Sequence, residues 1–144
     1  MNKMPRILLV EDNEGDAELV LEALENEEVK SAIPVIDNGE DAISYLKQEG
    51  KYENEILPSL ILLDLNLPKS DGKEVLSFIK NNTDLKKIPV IILTTSALQS
   101  DVDFAYDNHA NCYIVKSGDL NEFNLSIQTL EKFWMHSVLY PNKK

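Results

Sequence analysis

Four consecutive aliphatic residues that lead directly into an acidic one place the strongest limit on what this chain can fold into. The run is Leu60–Leu63, Asp64 follows it, and Pro68 and the pair Asp71-Gly72 then mark a turn. A short aliphatic run bounded by turn residues is typical of a strand buried on both faces, as in a parallel sheet covered by helices. Ligand crevices in such sheets lie at the carboxyl ends of the strands, so we predict that Asp64 belongs to a site.

Strand-like and helix-like segments alternate along the chain. Further aliphatic runs lie at residues 6–10, 35–37, 89–96 and 112–115. One helix is predicted after each strand, and the first includes Leu24. Five βα units with right-handed crossovers predict an α/β fold: a flavodoxin-like, doubly wound parallel sheet with strand order 2-1-3-4-5. Pro34 makes the second strand an edge. We expect a single domain over residues 1–144, with 133–144 as an extension of the last helix and a tail.

The charge and composition exclude several classes of partner. The formal net charge is −11 and the isoelectric point is near 4.5, which opposes binding to nucleic acid or to anionic lipid. No segment reaches the roughly 18 apolar residues of a membrane span, and residues 1–6 do not resemble a signal peptide. Cys112 is the only cysteine, which excludes an intramolecular disulfide. We therefore expect a cytoplasmic protein that binds neither nucleic acid nor membrane.

Charged and hydroxyl residues end four of the predicted strands. They are Glu11, Asp12, Asp64, Thr94 and Lys116. The carboxyl ends of parallel strands meet at one edge of the sheet, so we expect these side chains to converge. Three carboxylates at close range repel one another, and a cation among them would let them stay ionised. Because all the ligands would be oxygen, we predict Mg²⁺, with the backbone carbonyl of Asn66 as a further ligand.

A carboxylate beside Mg²⁺, a hydroxyl and a lysine fit one reaction in particular. This reaction is phosphoryl transfer to the carboxylate oxygen, which forms an acyl phosphate. Asp64 is the predicted nucleophile. Lys116 would neutralise charge on the phosphoryl oxygens, and Thr94 would donate a hydrogen bond to one of them. A carboxylate is already ionised at neutral pH, so no catalytic histidine is required.

These positions also carry a resemblance to a known family. The chain resembles, over essentially all of its length, the receiver domains of bacterial and archaeal two-component response regulators. The matching positions are Glu11-Asp12, the Asp-Leu-Asn-Leu-Pro motif at 64–68, Asp71-Gly72, Thr94 and Lys116. The resemblance implies that a sensor histidine kinase phosphorylates Asp64 and that Thr94 and Tyr113 form a conformational switch. It also implies a phosphoryl acceptor that catalyses only its own phosphorylation and dephosphorylation.

Within that family the chain is most similar to the cyanobacterial phytochrome response regulators, through residues 111–114 with Lys116 and through residues 132–134. This similarity implies a phytochrome-like kinase, no attached output domain, and a homodimer formed through the last strand and the extended last helix. The chain departs from the family in two features. Glu11 stands where Asp is commoner, and Ser117-Gly118 stands where most receivers have a proline in a cis peptide, which leaves the geometry of that loop open.

Other interpretations of these residues remain open. A haloacid-dehalogenase-type phosphatase also uses an aspartyl nucleophile with Mg²⁺, but it needs a second acid at the position of Asn66. An unphosphorylated binding scaffold is a third alternative, which the complete set of site positions disfavours. Tyr113 also fits simple packing in an edge strand. The apolar side chains after Lys132 fit either a contact surface or a tail folded back on its own domain.

Overall fold

A parallel sheet of five strands forms the centre of the molecule. The computed structural model describes residues 5–24, 27–116 and 118–141. Within these ranges every strand pair is parallel, and the order is β2-β1-β3-β4-β5. The strands are β1 (Ile7–Val10), β2 (Val35–Ile36), β3 (Leu60–Leu63), β4 (Val90–Thr94) and β5 (Cys112–Val115). The predicted flavodoxin-like order is confirmed, and the strand after Pro34 is an edge.

Helices connect the strands and flank the sheet. The described ranges contain α1 (Glu14–Ala23), α2 (Glu27–Ala32), α3 (Gly39–Lys47), α4 (Gly72–Lys80), α5 (Gln99–Asp107) and α6 (Leu120–Lys132). A short 3₁₀ helix (Gly50–Tyr52) follows α3, and a π-helical segment (Phe133–Ser137) follows α6. Four helices begin after a side chain that accepts a hydrogen bond from a backbone N–H of the first turn, and these N-caps are Asn13, Asn38, Asp71 and Asp119.

The prediction of one helix after each strand is wrong for the first crossover, which holds two. Helix α1 ends at Ala23, and α2 begins at Glu27. Leu24, which the sequence places in the first helix, has an extended backbone (φ −75°, ψ 131°) and a side chain only 1% exposed. Leu24 therefore follows the helix and reaches the core from an extended conformation.

The core lies on both faces of the sheet, and β3 contributes to each. Ile61 and Leu63 belong to the cluster that includes side chains of α3, α4 and α5, whereas Leu60 and Leu62 pack with α1 and α6. All four are 0% exposed. A slip of one residue would exchange the two sets, so burial on both faces fixes the register of β3. This register places Asp64 at the carboxyl edge of the sheet.

The carboxyl end of the chain is partly packed and partly exposed. Trp134 and Tyr140 pack against the core cluster of α1 and α6, whereas Phe133 and Leu139 are 55% and 95% exposed. Trp134 and Tyr140 are thus folded back on the domain, and for the exposed Phe133 and Leu139 the contact surface stays a prediction. Residues 142–144 of the predicted tail lie outside the described residues. None of the helices within the described ranges has the length and apolar character of a membrane span.

Candidate functional site

Three carboxylates meet at the carboxyl edge of the sheet, as the sequence predicts. Glu11, Asp12 and Asp64 each offer an oxygen, and these atoms lie within 4.8 Å of one another. Adjacent strands cause this convergence, because Glu11 follows β1, Asp64 follows β3, and the Asp64 N–H donates to the Val10 carbonyl at 3.0 Å. Glu11 and Asp64 are 2% and 5% exposed, and Asp12 is open to solvent. We call these three residues the acidic cluster.

The Lys116 ammonium lies at the edge of the acidic cluster and contacts three carboxylates. Its Nζ is 2.7 Å from Glu11 Oε1, 2.8 Å from Asp16 Oδ2 and 3.0 Å from Asp64 Oδ2. Lys116 comes directly after β5, and its N–H donates to the Thr94 carbonyl at 2.7 Å. The Lys116 side chain is only 6% exposed, so its charge depends on these partners.

Burial and neighbouring charges shift the pKa values of Glu11 and Lys116. Burial raises the pKa of the Glu11 carboxyl from 4.5 to about 7; its hydrogen bond with Lys116 opposes this rise, and the Asp64 charge adds to it. Burial also acts to lower the pKa of Lys116. The hydrogen bonds with Asp16 and Glu11 and the charge of Asp64 outweigh burial, and the pKa of Lys116 lies above its ordinary value. Lys116 is therefore charged, and an added cation would favour the ionised form of Glu11.

The loop between β3 and α4, residues 64–71, holds Asp64 from several sides. The Asn66 N–H donates to Asp64 Oδ1 at 3.0 Å, so both carboxylate oxygens accept a hydrogen bond. Gly72 lies so close that a Cβ built on it would be 2.2 Å from the Asp64 carbonyl oxygen. Only glycine permits this approach of α4 to the loop.

Backbone contacts from α3 fix the far side of the β3–α4 loop. Lys69 and Ser70 both have positive φ, 48° and 71°. The Gly39 N–H donates to the Pro68 carbonyl at 3.1 Å, and the Glu40 N–H donates to the Lys69 carbonyl at 2.6 Å. A Cβ on Gly39 would lie 1.7 Å from the Ser70 carbonyl oxygen. The first turn of α3 thus holds the loop in a left-handed conformation that non-glycine residues rarely adopt.

The predicted switch residues lie on the other side of Asp64. Thr94 ends β4, is 0% exposed, and its Oγ1 lies 3.4 Å from both Asn66 Nδ2 and the Ser96 N. The Tyr113 hydroxyl donates to the Ser96 carbonyl at 2.9 Å. Thr94 and Tyr113 therefore both contact Ser96, which lies at the start of the β4–α5 loop, residues 95–98.

A further chain of polar contacts leads from the β4–α5 loop to α4. Ser96 Oγ donates to Asp101 Oδ2 at 2.5 Å, and Asp101 Oδ1 lies 2.7 Å from Lys73 Nζ. These contacts connect the loop beside Tyr113 to the first turns of α5 and α4.

Asp16 is a site residue that the sequence interpretation missed. It lies in the first turn of α1, its backbone N–H donates to the Asn13 cap, and its side chain is 30% exposed. The sequence carries no local signal for it, because Asp12 precedes the Asn13 cap and lies outside the helix, and the contact of Asp16 with Lys116 spans 100 positions. Ser117, which bears on the loop geometry after Lys116, lies outside the described residues.

The donor set of the acidic cluster fits a hard divalent cation. All three candidate ligands are carboxylate oxygens, and within the described residues the cluster contains neither sulfur nor imidazole. Two of the three carboxylates are buried, and Lys116 supplies the positive charge that faces them. A cation would relieve the repulsion that remains. The backbone of Asn66 lies in the loop directly after Asp64, and its carbonyl stays a predicted ligand.

A family model and a similar protein sequence both match this chain to response regulators. A family model described as the response regulator receiver domain matches residues 7–128. The chain is 47% identical over 135 residues to the response regulator Rcp1 of Synechocystis sp.. This match covers 94% of this chain and 92% of Rcp1.

Solved structures agree with these sequence matches. The crystal structure of the phosphorylated cyanobacterial phytochrome response regulator RcpA is similar with a TM-score of 0.92 and 45% identity, over 97% of this chain and 100% of that one. The Mn²⁺-bound form of the response regulator Rcp1 is similar with a TM-score of 0.89 and 45% identity, over 96% of this chain and 99% of that one.

Proposed function

Because the chain belongs to the family of response regulator receiver domains, we propose that it accepts a phosphoryl group on Asp64 from a sensor histidine kinase and signals by protein contact. The observation that carries the proposal is the convergence of Asp64 with two further carboxylates and the Lys116 ammonium at one edge of the sheet. No other group of three His, Cys, Asp or Glu residues in the described ranges offers ligand atoms this close together.

Glu11, Asp12, Asp64 and the Asn66 carbonyl are the proposed ligands of Mg²⁺. When bound, the ion would screen charge between the carboxylates and the phosphoryl oxygens. The oxygen-only donor set supports this choice. The similar structure of Rcp1, 45% identical to this chain, is a Mn²⁺-bound form, and Mn²⁺ prefers the same oxygen ligands.

Asp64 acts as the nucleophile in the proposed reaction. One carboxylate oxygen forms a bond to phosphorus, and the bond between phosphorus and the imidazole nitrogen of the donor histidine breaks; that nitrogen keeps the electron pair. The product on this chain is an acyl phosphate. Lys116, 3.0 Å from Asp64 Oδ2, is placed to donate to an oxygen of the transferred group, and no group on this chain has to remove a proton.

Thr94 and Tyr113 are the proposed switch. The contacts of Thr94 Oγ1 with Asn66 and Ser96 are both 3.4 Å long, so the hydroxyl can turn toward a phosphoryl oxygen at small cost. The Tyr113 hydroxyl is bonded to the Ser96 carbonyl, so a movement of the β4–α5 loop would change that bond. Phosphorylation would then shift the population between two arrangements of this loop.

Incubation with acetyl phosphate and Mg²⁺, followed by intact-mass measurement, tests the proposal. We expect one added phosphoryl group on the wild type, no addition on Asp64→Asn, and no addition when a chelator removes Mg²⁺. The matched control is Asp71→Asn, because this acid caps α4 and lies in the same loop. Equal labelling of wild type and Asp64→Asn would refute Asp64 as the acceptor. Absence of labelling on the wild type would favour an unphosphorylated scaffold.

We propose that the donor kinase is phytochrome-like and that phosphotransfer takes place in the cytoplasm. The support is the 45% identity to RcpA, a cyanobacterial phytochrome response regulator whose solved structure is phosphorylated. Transfer from a phytochrome-type histidine kinase is expected to be faster than transfer from kinases with other sensor modules. Equal rates across such a panel would contradict this assignment.

A second copy of the chain is the proposed partner of the face formed by β5 and α6. Val115, Leu125 and Phe133 are 42%, 64% and 55% exposed there, and β5 is an edge strand. Light scattering with and without beryllofluoride tests for a homodimer. Leu125→Glu is expected to give a monomer in both conditions, whereas Leu98→Glu, on the β4–α5 loop, is the matched control because Leu98 is 65% exposed. A monomeric wild type in both conditions would contradict the proposal.

A further inference from the structure

The three acids that contact Lys116 are not equivalent. Glu11 and Asp64 belong to the acidic cluster, whose oxygens can hold a cation. Asp16 is not part of that cluster and contacts the ammonium from α1 at 2.8 Å. Of the partners of Lys116 in the described ranges, Asp16 is therefore the one that a cation would not use as a ligand.

This difference matters because the ammonium has three N–H groups and all three face a carboxylate. A phosphoryl group on Asp64 needs one of these N–H groups, so one present contact has to be given up. A cation among Glu11, Asp12 and Asp64 would also compete with Lys116 for the oxygens of Glu11 and Asp64. A lysine side chain that is 6% exposed cannot lose its counter-charges without a large penalty.

The position of Asp16 in the fold favours its contact with Lys116. Asp16 lies on a helix of ten residues whose N-cap, Asn13, accepts its backbone N–H at 2.9 Å. The neighbouring Ala17 and Val20 are buried against the sheet, 6% and 0% exposed, and fix the position of the helix. The carboxylate of Asp16 is thus carried by a rigid element, whereas the lysine is flexible.

We propose that Asp16 is a positioning residue, which holds the Lys116 ammonium beside the acidic cluster while the lysine turns one N–H toward the phosphoryl group. This inference rests on the proposed function of Asp64. Asp16 touches neither the acceptor oxygen nor the transferred group, and it acts through Lys116 alone. In its absence Lys116 pairs fully with Glu11 and Asp64, where it opposes the cation and is poorly placed for the phosphoryl group.

A double-mutant cycle with Lys116 tests the proposal. Asp16→Asn is expected to lower the initial rate of phosphorylation by acetyl phosphate, at saturating Mg²⁺, about tenfold, the effect of one charge-assisted hydrogen bond in a partly exposed site. In the Lys116→Ala background the same substitution is expected to change the rate less than about twofold, because the residue through which Asp16 acts is gone. Asp16→Glu, which keeps the charge, should recover most of the rate.

Mg²⁺ affinity, measured by calorimetry on the unphosphorylated protein, gives a readout that does not depend on phosphoryl transfer. Asp16→Asn is expected to raise the Kd for Mg²⁺ several-fold in the wild-type background and much less in Lys116→Ala. Glu18→Gln is the matched control, because Glu18 is an exposed acid of α1 and the charge change is the same. Asp16→Ala, with its high helix propensity, replaces Asp16→Asn if that variant does not fold.

Any of the following results would overturn the inference. Asp16→Asn with the wild-type rate and affinity would show that the contact has no role. Equal losses in the two backgrounds would show that Asp16 acts by its charge and not through Lys116. A wild type without Mg²⁺-dependent labelling would refute the proposed function, and the inference with it. If the wild type is labelled, Asp64→Asn is not labelled and Asp16→Asn is fully active, the inference is refuted and the proposed function stands.

Discussion

Substitution of Glu11 by glutamine tests whether the acidic cluster stores unfavourable energy in the free protein. Burial raises the pKa of Glu11 to about 7, from 4.5 in an unfolded chain. Between these two pH values the folded protein binds more protons than the unfolded chain, so the free energy of unfolding falls as the pH rises. The stability from this group is fully present below pH 4.5 and is lost as the pH rises through about 7. Glutamine cannot ionise, and the Glu11→Gln variant lacks this loss.

The structure sets the size of the effect. A rise of the pKa from 4.5 to about 7 corresponds to about 3 kcal/mol, at roughly 1.4 kcal/mol for a tenfold change in proton affinity. Roughly a quarter of the loss is already complete near pH 5. We therefore expect the stability of Glu11→Gln relative to the wild type to increase by about 2 kcal/mol between about pH 5 and about pH 8. The difference in stability between protonated Glu11 and glutamine is the same at both pH values and cancels in this comparison.

Urea denaturation at a series of pH values, without Mg²⁺, provides the measurement. Glu18→Gln on the exposed face of α1 is the control and should follow the wild type at every pH. Excess Mg²⁺ should flatten the wild-type curve, because a bound cation favours the ionised carboxylate. Parallel curves for the wild type and Glu11→Gln would refute the reasoning, since they would show that Glu11 ionises normally in the folded protein.

Three further substitutions, one of them with a matched control, test the fold and the contacts of the proposed switch. Gly72→Ala is expected to lower the free energy of unfolding by about 2 kcal/mol, because the added Cβ would lie 2.2 Å from the Asp64 carbonyl oxygen; an unchanged urea midpoint would contradict the close approach. Leu62→Ala removes a fully buried side chain and should cost about 3 kcal/mol, whereas Leu125→Ala, at a position 64% exposed, should cost less than about 0.5 kcal/mol. Tyr113→Phe removes the 2.9 Å hydrogen bond to the β4–α5 loop and should cost about 1 kcal/mol by the same assay, and a fully stable variant would show that the bond does not form.

Much of the site follows from local patterns in the sequence. A short run such as Leu60–Leu63 has few alternatives to a buried strand, and the residue after it has to emerge at the edge of the sheet. By the same reasoning Glu11 and Lys116 emerge at this edge, because each directly follows a strand. Their convergence then follows from strand order alone, because ligands in open parallel sheets meet at the carboxyl ends.

What the sequence did not predict depends on contacts between distant segments. Asp16 meets Lys116 across 100 positions, and their distance depends on how the buried face of α1 packs against the sheet. Its position in the first helical turn also suits the helix dipole, so the local pattern does not single it out. Leu24 continues the helical spacing of α1, yet it follows the helix and is buried in an extended conformation. In both cases tertiary packing decides between options that the local sequence leaves equal.

The two flanks of the β3–α4 loop differ in stiffness. On the α3 flank, main-chain hydrogen bonds and the bare backbone of Gly39 leave no free volume. On the β4 flank, the contacts of Thr94 Oγ1 with Asn66 and Ser96 are 3.4 Å long. A new charge on Asp64 would therefore displace atoms mainly in one direction, toward β4 and α5. Under the proposed function, the response to phosphorylation would be directed away from α3, and partners that sense it would bind on the side of β4 and α5.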